Sequence, residues 1–448
     1  MKNLFLQYQN RKIPLTVPPA WRIISFADFA DSPGVNNIRE RTRTVLQNPI
    51  GKRPLSELVT EQDRVAVLIE DLTRPSPKKI ILEAVLELLE QKGIPDRKIA
   101  IVFSLGTHRG LVREEIEGAF GEDLVGRYEF INHNCRADDL VPAGRLKTGQ
   151  PVRINRRVME ATFRIGVGSI FPHPMNGFGG GGKILFPGVA DLEAITDHHF
   201  HYTFQSGTGL GKLDGNPFYE EVCALARSVP LHFVVNGVLD QRDVLADLVA
   251  GDPIEAHRAG ARICRSLTTR RFPKRADLTV TTSFPYKEGP QIVKPLVPAS
   301  LVTKPGGCII LAADCSGNLP EPFIASFEKF RSRHAGDLFG GILAHFSERR
   351  LIMEGGAVDY NMALAFALAA QDHFTIILVS GDIPRRTAER MGYVYAEDLD
   401  RAIAISARYC PSPEVHVIPS GGVILPEMED PSRSLPFASD RDSSLRSE

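Results

Sequence analysis

Short apolar runs that alternate with helical segments are the feature that most limits the fold of this 448-residue chain. Val65–Ile69 and Ile99–Phe103 are both runs of five apolar residues. Between them, residues 80–89 have helical periodicity, and a proline-bearing segment at 73–77 prevents that helix from beginning earlier. Strands and helices in alternation predict a parallel sheet, so we expect an α/β fold.

The same alternation begins again after a basic, proline-bearing stretch at 268–275. Four further strands are predicted there, at 278–283, 308–313, 374–380 and 415–418. We therefore expect two α/β domains with mainly parallel sheets and an active site in the cleft between them. The expected domains are residues 1–270 and residues 271–415, with 416–426 packing back on the first domain and a disordered tail at 427–448.

The overall composition favours an ordinary globular protein and excludes several classes of partner. The chain is 43% hydrophobic and 24% charged, and 53 basic and 54 acidic residues leave a net charge of -1. Bulk attraction to nucleic acid or to an anionic membrane is therefore not expected. Six scattered cysteines, without a dense spacing, indicate reduced thiols. No apolar run is long enough to span a bilayer and no signal peptide is evident, so we expect a cytoplasmic protein.

A glycine-rich strip, GFGGGGK at residues 177–183, follows the predicted strand Phe163–Ile170. Open α/β sheets bind ligands beyond the carboxyl ends of their strands. We interpret the strip as a place where a bulky anionic ligand lies against bare backbone N–H groups, with Lys183 supplying a charge or a nucleophilic amine. The spacing also fits a P-loop, but Ile184 replaces the Mg²⁺-binding hydroxyl and Pro187 interrupts the required helix, so nucleotide triphosphate hydrolysis is disfavoured.

Polar residues also follow the first two predicted strands, as DLTRPSP at 71–77 and GTHR at 106–109. Taken alone, Asp71 would cap a turn and His108 would be satisfied by the backbone. Because both follow neighbouring strands, and because His173 follows a third, their coincidence favours a ligand site at one edge of the sheet.

Three histidines, His198, His199 and His201, fall in a predicted helix at 191–204. His198 and His201 lie on one helical face, and His173 could join them at a zinc ion. No carboxylate or cysteine stands at a suitable spacing, which disfavours a closed structural zinc site. We expect two of the three to cap and hydrate the helix end, and a single histidine bound to a metal held mainly by another group stays open.

Taken in order, these segments resemble the lactate racemase family, whose members use a nickel-pincer nucleotide. The resemblance extends from about residue 10 to about residue 425. The matching pieces are D-x-T-R-P at 71–75, G-T-H-R at 106–109, P-H at 172–173, G-G-x-K at 180–183, P-G at 187–188, His199, and Q-x-x-K at 291–294.

The resemblance implies a cofactor, the Ni(II)-pyridinium-3,5-bisthiocarboxylate mononucleotide, joined covalently to Lys183. It implies that His199 completes the square plane of the nickel, which suits Ni(II) with one imidazole and soft sulfur donors. Cofactor-synthesis enzymes would be the partners for maturation. The residues that would contact the cofactor, besides Lys183 and His199, are Asp71, Leu72, Thr73, Arg74, Gly180 and Gly181.

The implied reaction is racemisation or epimerisation of a 2-hydroxy acid by reversible hydride transfer through a 2-oxo acid. Removing a hydride avoids a carbanion beside the carboxylate, and returning it to the opposite face inverts C2. The two hydroxyl orientations need two bases, and His108 and His173 fit these roles. Arg74, Gln291 and Lys294 would hold the carboxylate or the developing oxyanion.

Several positions depart from the pattern of the lactate-type members. Pro290 stands where they carry a tyrosine, Gly179 replaces a serine, and Trp21 is the sole tryptophan where they have one in the C-terminal part. The expected substrate is therefore a 2-hydroxy acid other than lactate, with specificity set by residues that include Tyr286, Lys287 and Tyr360. Two alternatives stay open: a net 2-hydroxyacid oxidoreductase using the same cofactor, and a non-catalytic nucleotide-binding protein.

Overall fold

The computed structural model describes residues 4–8, 11–73, 76–240, 242–317 and 319–429. The chain divides into two compact units. The inserted unit is Ala30–Leu267. The split unit is formed by Met1–Phe29 together with Thr268–Glu448, as far as these are described.

The helices and strands follow in chain order. Before residue 30 they are β1 (Phe5–Tyr8), β2 (Arg11–Pro14) and β3 (Arg22–Phe26). The inserted unit contains α1 (Ile38–Gln47), α2 (Leu55–Leu58), β4 (Val65–Ile69), α3 (Lys78–Gln91), β5 (Ile99–Phe103), α4 (Arg113–Phe120), α5 (Glu122–Arg127), β6 (Glu129–Asn132), β7 (Val141–Arg145), β8 (Pro151–Ile154), α6 (Arg156–Glu160), β9 (Phe163–Ile170), β10 (Pro172–His173), β11 (Gly177–Phe178), α7 (Leu192–Tyr202), α8 (Pro217–Ser228), β12 (Phe233–Leu239), β13 (Leu245–Gly251) and α9 (Glu255–Thr268).

The elements after α9 belong to the split unit. They are β14 (Thr269–Phe272), β15 (Ala276–Thr282), α10 (Leu296–Val302), β16 (Thr303–Ala312), α11 (Glu321–Arg333), α12 (Leu338–Ser347), α13 (Val358–His373), β17 (Thr375–Val379), α14 (Arg385–Arg390), β18 (Val394–Ala396), α15 (Leu399–Ser406), β19 (Glu414–Ile418) and β20 (Leu425–Met428). Short 3-10 helices stand at Asp96–Lys98, Gly181–Ile184, Gly289–Val293 and Gly421–Val423.

The inserted unit is built on a six-stranded sheet with the order β13-β12-β9-β4-β5-β6. All neighbouring pairs are parallel except β12 with β13. Every residue of β4, β5 and β9 is buried, because helices cover both faces of a parallel sheet. The chain runs from β4 outward to β6 and then returns to β9 on the other side of β4. The gap between β4 and β9 is thus a topological switch point, where such sheets bind ligands.

The split unit has its own six-stranded sheet, in the order β18-β17-β16-β15-β19-β3, with all pairs parallel. Its core contains Val280, Ile310, Ile377 and Val417 from four of the strands, and Trp21 packs with them. The chain runs from β15 to β18 on one side and returns to β19 on the other. Its switch point therefore lies between β15 and β19.

The division of the chain corrects part of the expected domain organisation. Residues 1–29 belong with the carboxyl-terminal part, because β3 pairs with β19 at the edge of that sheet. Residues 416–426 also belong to the split unit, where β19 pairs with β15 and β20 with β14. The expected tail at 427–448 was placed too early, since β20 continues to Met428; residues 430–448 lie outside the described part.

The predicted local elements agree closely with the structure near the expected site. The strands predicted from apolar runs coincide with β4, β5 and β9. Within the described ranges, no helix is both long and apolar enough to cross a membrane.

Candidate active site

Asp71 and His108 form a hydrogen-bonded pair at the carboxyl ends of the neighbouring strands β4 and β5. The His108 Nδ1 and Asp71 Oδ2 atoms are 2.5 Å apart. The other carboxylate oxygen, Oδ1, accepts hydrogen bonds from the backbone N–H of Thr73, at 2.9 Å, and from its hydroxyl. Because a carboxylate can only accept, Nδ1 of His108 carries the proton and Nε2 keeps its lone pair. The pair therefore presents a candidate general base, on a side chain that is 31% exposed.

Glu70, which sequence reasoning did not single out, anchors this loop to the sheet. Its carboxylate accepts hydrogen bonds from the backbone N–H and the hydroxyl of Ser169 on β9, at 2.9 and 2.8 Å. It also accepts one from the Ser76 hydroxyl, just before α3. Glu70 thus joins the two strands that flank the switch point. Arg74, expected to contact both cofactor and substrate, lies outside the described residues.

His173 and Lys183 meet beyond the end of β9. The Nε2 atom of His173 lies 3.2 Å from the Lys183 amine. Its Nδ1 atom accepts hydrogen bonds from the backbone N–H groups of Met175, at 3.3 Å, and Asn176, at 3.1 Å. Amide groups can only donate here, so a neutral His173 carries its proton on Nε2 and directs it at Lys183. The structure therefore brings together a candidate base and the candidate attachment site.

The glycine strip is fixed by close packing on one side. Gly181 has φ +58°, and a Cβ there would stand 2.6 Å from Cγ of His257. Its N–H donates to Asn236 Oδ1 at 3.0 Å, and the Gly179 N–H donates to the Phe171 carbonyl at 2.8 Å. The interpretation of a row of bare N–H groups is therefore wrong for these two glycines, because the fold itself uses them.

His257 and Asn236 are supports of the strip that sequence reasoning missed. Nε2–H of His257 donates to the Gly179 carbonyl at 2.9 Å, and the Tyr219 hydroxyl lies 3.2 Å from its Nδ1. Burial lowers the pKa of His257 to about 4, so the ring is neutral. Both residues belong to elements more than 50 positions from the strip. No local pattern could connect them to it. Gly180, in contrast, remains partly exposed beside Lys183.

The three histidines of α7 have different surroundings. Nδ1–H of His199 donates to the Ile195 carbonyl at 2.8 Å, which leaves the Nε2 lone pair available. Burial lowers the pKa of His199 to about 3, with the nearby Lys183 as a smaller cause. His198 is fully buried and its Nε2–H donates to Phe218, whereas His201 contacts the Gln205 side chain. His199 thus combines a ring that burial keeps neutral with the tautomer that metal-bound histidines usually have.

The described residues suit a metal that is held mainly by another group. They contain no set of three or more His, Cys, Asp or Glu side chains that could hold an ion. One open imidazole on His199, near an amine on Lys183, fits a nickel ion whose remaining ligands come from a cofactor attached to that amine. The donor set therefore fits the implied nickel-pincer nucleotide.

The split unit contains the other residues expected to bind substrate. The Lys294 amine donates to Gln291 Oε1 at 3.3 Å and lies 4.7 Å from the ring centre of Tyr286. Pro290, in the position of the missing tyrosine, is buried. Tyr360 is partly buried and its ring contacts Phe323.

Known proteins resemble this chain over most of its length. A family model described as the lactate racemase N-terminal domain matches residues 8–211. The lactate racemase of Thermoanaerobacterium thermosaccharolyticum is 28% identical over 429 residues, which are 94% of this chain and 98% of that protein. The lactate racemase of Lactiplantibacillus plantarum is 29% identical over 402 residues, which are 86% of this chain and 91% of that protein.

Solved structures show the same relationship. The lactate racemase apoprotein from Thermoanaerobacterium thermosaccharolyticum has a TM-score of 0.85 at 26% identity, and the match covers 95% of this chain and 100% of that chain. A Thermotoga maritima protein shares the fold at a TM-score of 0.62 and 18% identity, over 87% of this chain and 98% of that chain. The first part of the chain thus matches the lactate racemase N-terminal domain, and the chain is similar to lactate racemases over most of its length.

Proposed function

We propose that the chain is an isomerase that racemises or epimerises a 2-hydroxy acid. The observation that carries the proposal is the pair of candidate bases, His108 and His173, which follow strands on either side of β4. An enzyme that inverts a hydroxyl-bearing carbon needs a proton acceptor for each orientation of the hydroxyl. Similarity to lactate racemases supports the same class of reaction.

The cofactor that fits this site is the nickel-pincer nucleotide, with Lys183 as its covalent anchor and His199 as its imidazole ligand. When bound, that group would supply a hydride acceptor and a hydride donor at C2. Leu72, Thr73 and Arg74 are proposed to line it, and Gly180 is the partly exposed glycine available to it. Cofactor-synthesis enzymes would be needed to mature the protein.

His108 is the better defined of the two bases. Its Nε2 lone pair accepts the substrate hydroxyl proton in one direction and returns it in the other. Asp71 acts through His108: it holds the ring in the required tautomer and stabilises the imidazolium that forms. Both carboxylate oxygens of Asp71 are engaged by His108 and Thr73, which fixes this orientation.

His173, the second proposed base, needs a change of tautomer before it can accept a proton through Nε2. In the described arrangement its Nε2–H is directed at the Lys183 amine, so that Nε2 cannot accept a proton. A covalent bond at Lys183 would remove the amine as the partner of this N–H. To accept the proton of the substrate hydroxyl, His173 must in addition move its own proton from Nε2 to Nδ1, away from the Met175 and Asn176 N–H groups.

The substrate is proposed to be a 2-hydroxy acid other than lactate, since Pro290 removes a tyrosine ring and hydroxyl from the lactate pattern. Gln291, Lys294 and Arg74 would hold its carboxylate. A screen tests this directly: cofactor-loaded protein is incubated with single enantiomers of 2-hydroxy acids and sugar acids, and loss of optical rotation is measured. The expected result is loss of rotation with at least one acid.

The metal site has a matched control on the same helix. His199→Ala should reduce the nickel bound by the loaded protein from about one per chain to a small fraction, because the ion loses its imidazole ligand. His201→Ala, which removes a ring two positions away, should leave nickel binding unchanged. Equal nickel content in the two variants would contradict the assignment of His199.

The two alternatives give different outcomes in the same assays. Accumulation of a 2-oxo acid in proportion to the substrate lost would favour a net oxidoreductase. A non-catalytic nucleotide-binding protein needs neither base, so turnover that is abolished separately by His108→Ala and by His173→Ala would exclude it.

A further inference from the structure

The first turn of α8 carries a ring that lies beside two of the candidate site histidines. This ring, that of Phe218, is fully buried. Its centre is 5.0 Å from the centre of the His199 ring, with the two planes inclined by 84°, so the contact is edge to face. The centre of the His173 ring is 6.5 Å away. Both distances fall in the range over which aromatic rings attract each other. One phenylalanine is thus a neighbour of the candidate metal ligand and of a candidate base.

Phe218 is fixed in place by the start of its own helix. Asn216, the N-cap of α8, donates through Nδ2 to the Met175 carbonyl at 2.8 Å. Met175 stands in the turn that follows His173. The Phe218 carbonyl accepts a hydrogen bond from Nε2–H of His198 on α7, at 3.2 Å. The start of α8 is therefore joined both to the turn that carries His173 and to the helix that carries His199.

The hydrogen bond of the His199 ring is a weak constraint on its orientation. Its Nδ1–H donates to the Ile195 carbonyl at 2.8 Å, one turn earlier in α7. In an α-helix that carbonyl also accepts the backbone N–H of His199, so the side chain adds only a second, shared bond. The edge-to-face contact with Phe218 favours the one orientation in which Nδ1–H meets the Ile195 carbonyl and the Nε2 lone pair stays open.

We propose that Phe218 is a positioning residue, which holds the His199 ring in the orientation and tautomer that present Nε2 to the nickel, at a fixed place relative to His173. The proposal rests on the function proposed above, because that function assigns the nickel to His199. Phe218 acts only through the rings beside it, and it does so as an aromatic ring. A leucine or a methionine should therefore fail to replace it.

The orientation of His199 can be tested on the full-length protein without the cofactor. ¹⁵N NMR of labelled histidines shows which ring nitrogen carries the proton, and the His199 signals are identified by their absence in His199→Gln. The wild type should show Nδ1–H alone. Phe218→Leu should show a mixture of Nδ1–H and Nε2–H, because the ring can then leave the Ile195 carbonyl. An unmixed Nδ1–H signal in this variant would overturn the proposal.

Phe233→Leu is the matched control. Phe233 is also fully buried in the inserted unit, but it is the first residue of β12 and lies at the end of the sheet opposite to the site. The two substitutions remove the same atoms from a core position. Phe233→Leu should keep His199 as Nδ1–H alone, and a mixture in this variant too would overturn the proposal. If Phe218→Leu does not fold, Phe218→Met, with an unbranched side chain that adapts to the space, should show the same mixture.

The retention of nickel links this orientation to the proposed function. Loaded Phe218→Leu should release half of its nickel at a chelator concentration about 10- to 100-fold lower than the wild type, as expected for loss of a group that orients a metal ligand. On the acid identified by optical rotation, its kcat should fall about 10- to 100-fold, with KM within about threefold. Phe233→Leu should match the wild type in both measurements.

Nickel retention equal to that of the wild type in Phe218→Leu would overturn the proposal. If the wild type binds no nickel and no acid loses rotation, the proposed function fails. The His199 signals of the unloaded protein still decide whether Phe218 orients that ring, so the two failures are distinguishable.

Discussion

Asparagine at position 71 tests how the Asp71–His108 pair presents its base. The Thr73 N–H and hydroxyl both donate to one oxygen of Asp71. In Asp71→Asn these two donors should retain the amide oxygen, which turns the amide NH₂ towards His108. An NH₂ group can only donate, so Nδ1 must become the acceptor and the ring proton must move to Nε2. The variant would thus keep its shape while the base loses its lone pair.

The size of the effect follows from this change of tautomer. Loss of a hydrogen bond to a charged group costs about 1.5–3 kcal/mol, which is about 10- to 150-fold in rate. The side chain of His108 is 31% exposed, which favours the lower part of that range for this term. In a serine protease triad, the same substitution inverts the tautomer and lowers kcat about 10⁴-fold. We therefore expect kcat to fall about 100- to 10,000-fold, with KM changed less than about threefold.

The assay compares loaded wild type, Asp71→Asn and Asp63→Asn on the acid identified by optical rotation. Asp63 is a matched control, because its carboxylate also accepts from a threonine N–H and hydroxyl, those of Thr60, but at the other end of β4. It should lose less than about twofold in kcat. ¹⁵N NMR of histidine should show Nδ1–H for His108 in the wild type and Nε2–H in Asp71→Asn. Retention of more than about a third of kcat by Asp71→Asn, or wild-type His108 with Nε2–H, would refute the reasoning.

Three further predictions concern Lys183, Gly181 and His257. Lys183→Arg keeps a long basic side chain but has no amine to form the covalent bond, so mass spectrometry after maturation should show the added mass on the wild type and not on the variant. A modified variant would contradict the assignment of Lys183 as the anchor. Gly181→Ala places a Cβ 2.6 Å from the His257 ring at a residue with a left-handed φ, and should lower the free energy of unfolding in urea by about 2–4 kcal/mol. Gly215→Ala is the control, with φ +65° and nothing within 4 Å of the added Cβ, and should lower it by about 1 kcal/mol. Equal losses in the two variants would reject the packing argument. Burial lowers the pKa of His257 to about 4 from an ordinary 6.5, so the unfolded chain binds more protons between these values. The contribution of His257 to the free energy of unfolding is therefore complete above pH 6.5 and decreases as the pH is lowered, by about 2 kcal/mol at pH 5. Urea unfolding at pH 7.5 and at pH 5 should thus show a smaller loss of stability for His257→Gln than for the wild type. Equal losses in the two proteins would contradict the prediction.

The local parts of the site could be predicted from the sequence because they depend on adjacent residues. Two apolar runs mark buried strands and their carboxyl ends. Asp71 follows the first run, and a loop containing His108 follows the second. Parallel pairing then places neighbouring strand ends together. Three short patterns thus sufficed to bring His108, His173 and Lys183 to one edge.

The parts that were missed depend on contacts between distant segments. Glu70 could not be distinguished from any polar residue after a strand until Ser169 was seen beside it. Asn236 and His257 support the glycine strip from later elements, and their own neighbours carry no sign of it. The strip was interpreted from glycine composition alone, which does not show whether glycine serves a ligand or a close neighbour. The structure gives the second reason for Gly181.

The pairing of β3 with β19 has a consequence for how the protein is made. Ile23 is opposite Val415, about 390 residues later. At about 5–20 residues per second, the ribosome delivers the partner strand about 20–80 s after β3 has been synthesised. All strands of the inserted unit are made during that interval, so β3 must wait for its partner strand until nearly the whole chain has emerged. A deletion at the amino terminus would therefore damage the last unit to be completed, not the first.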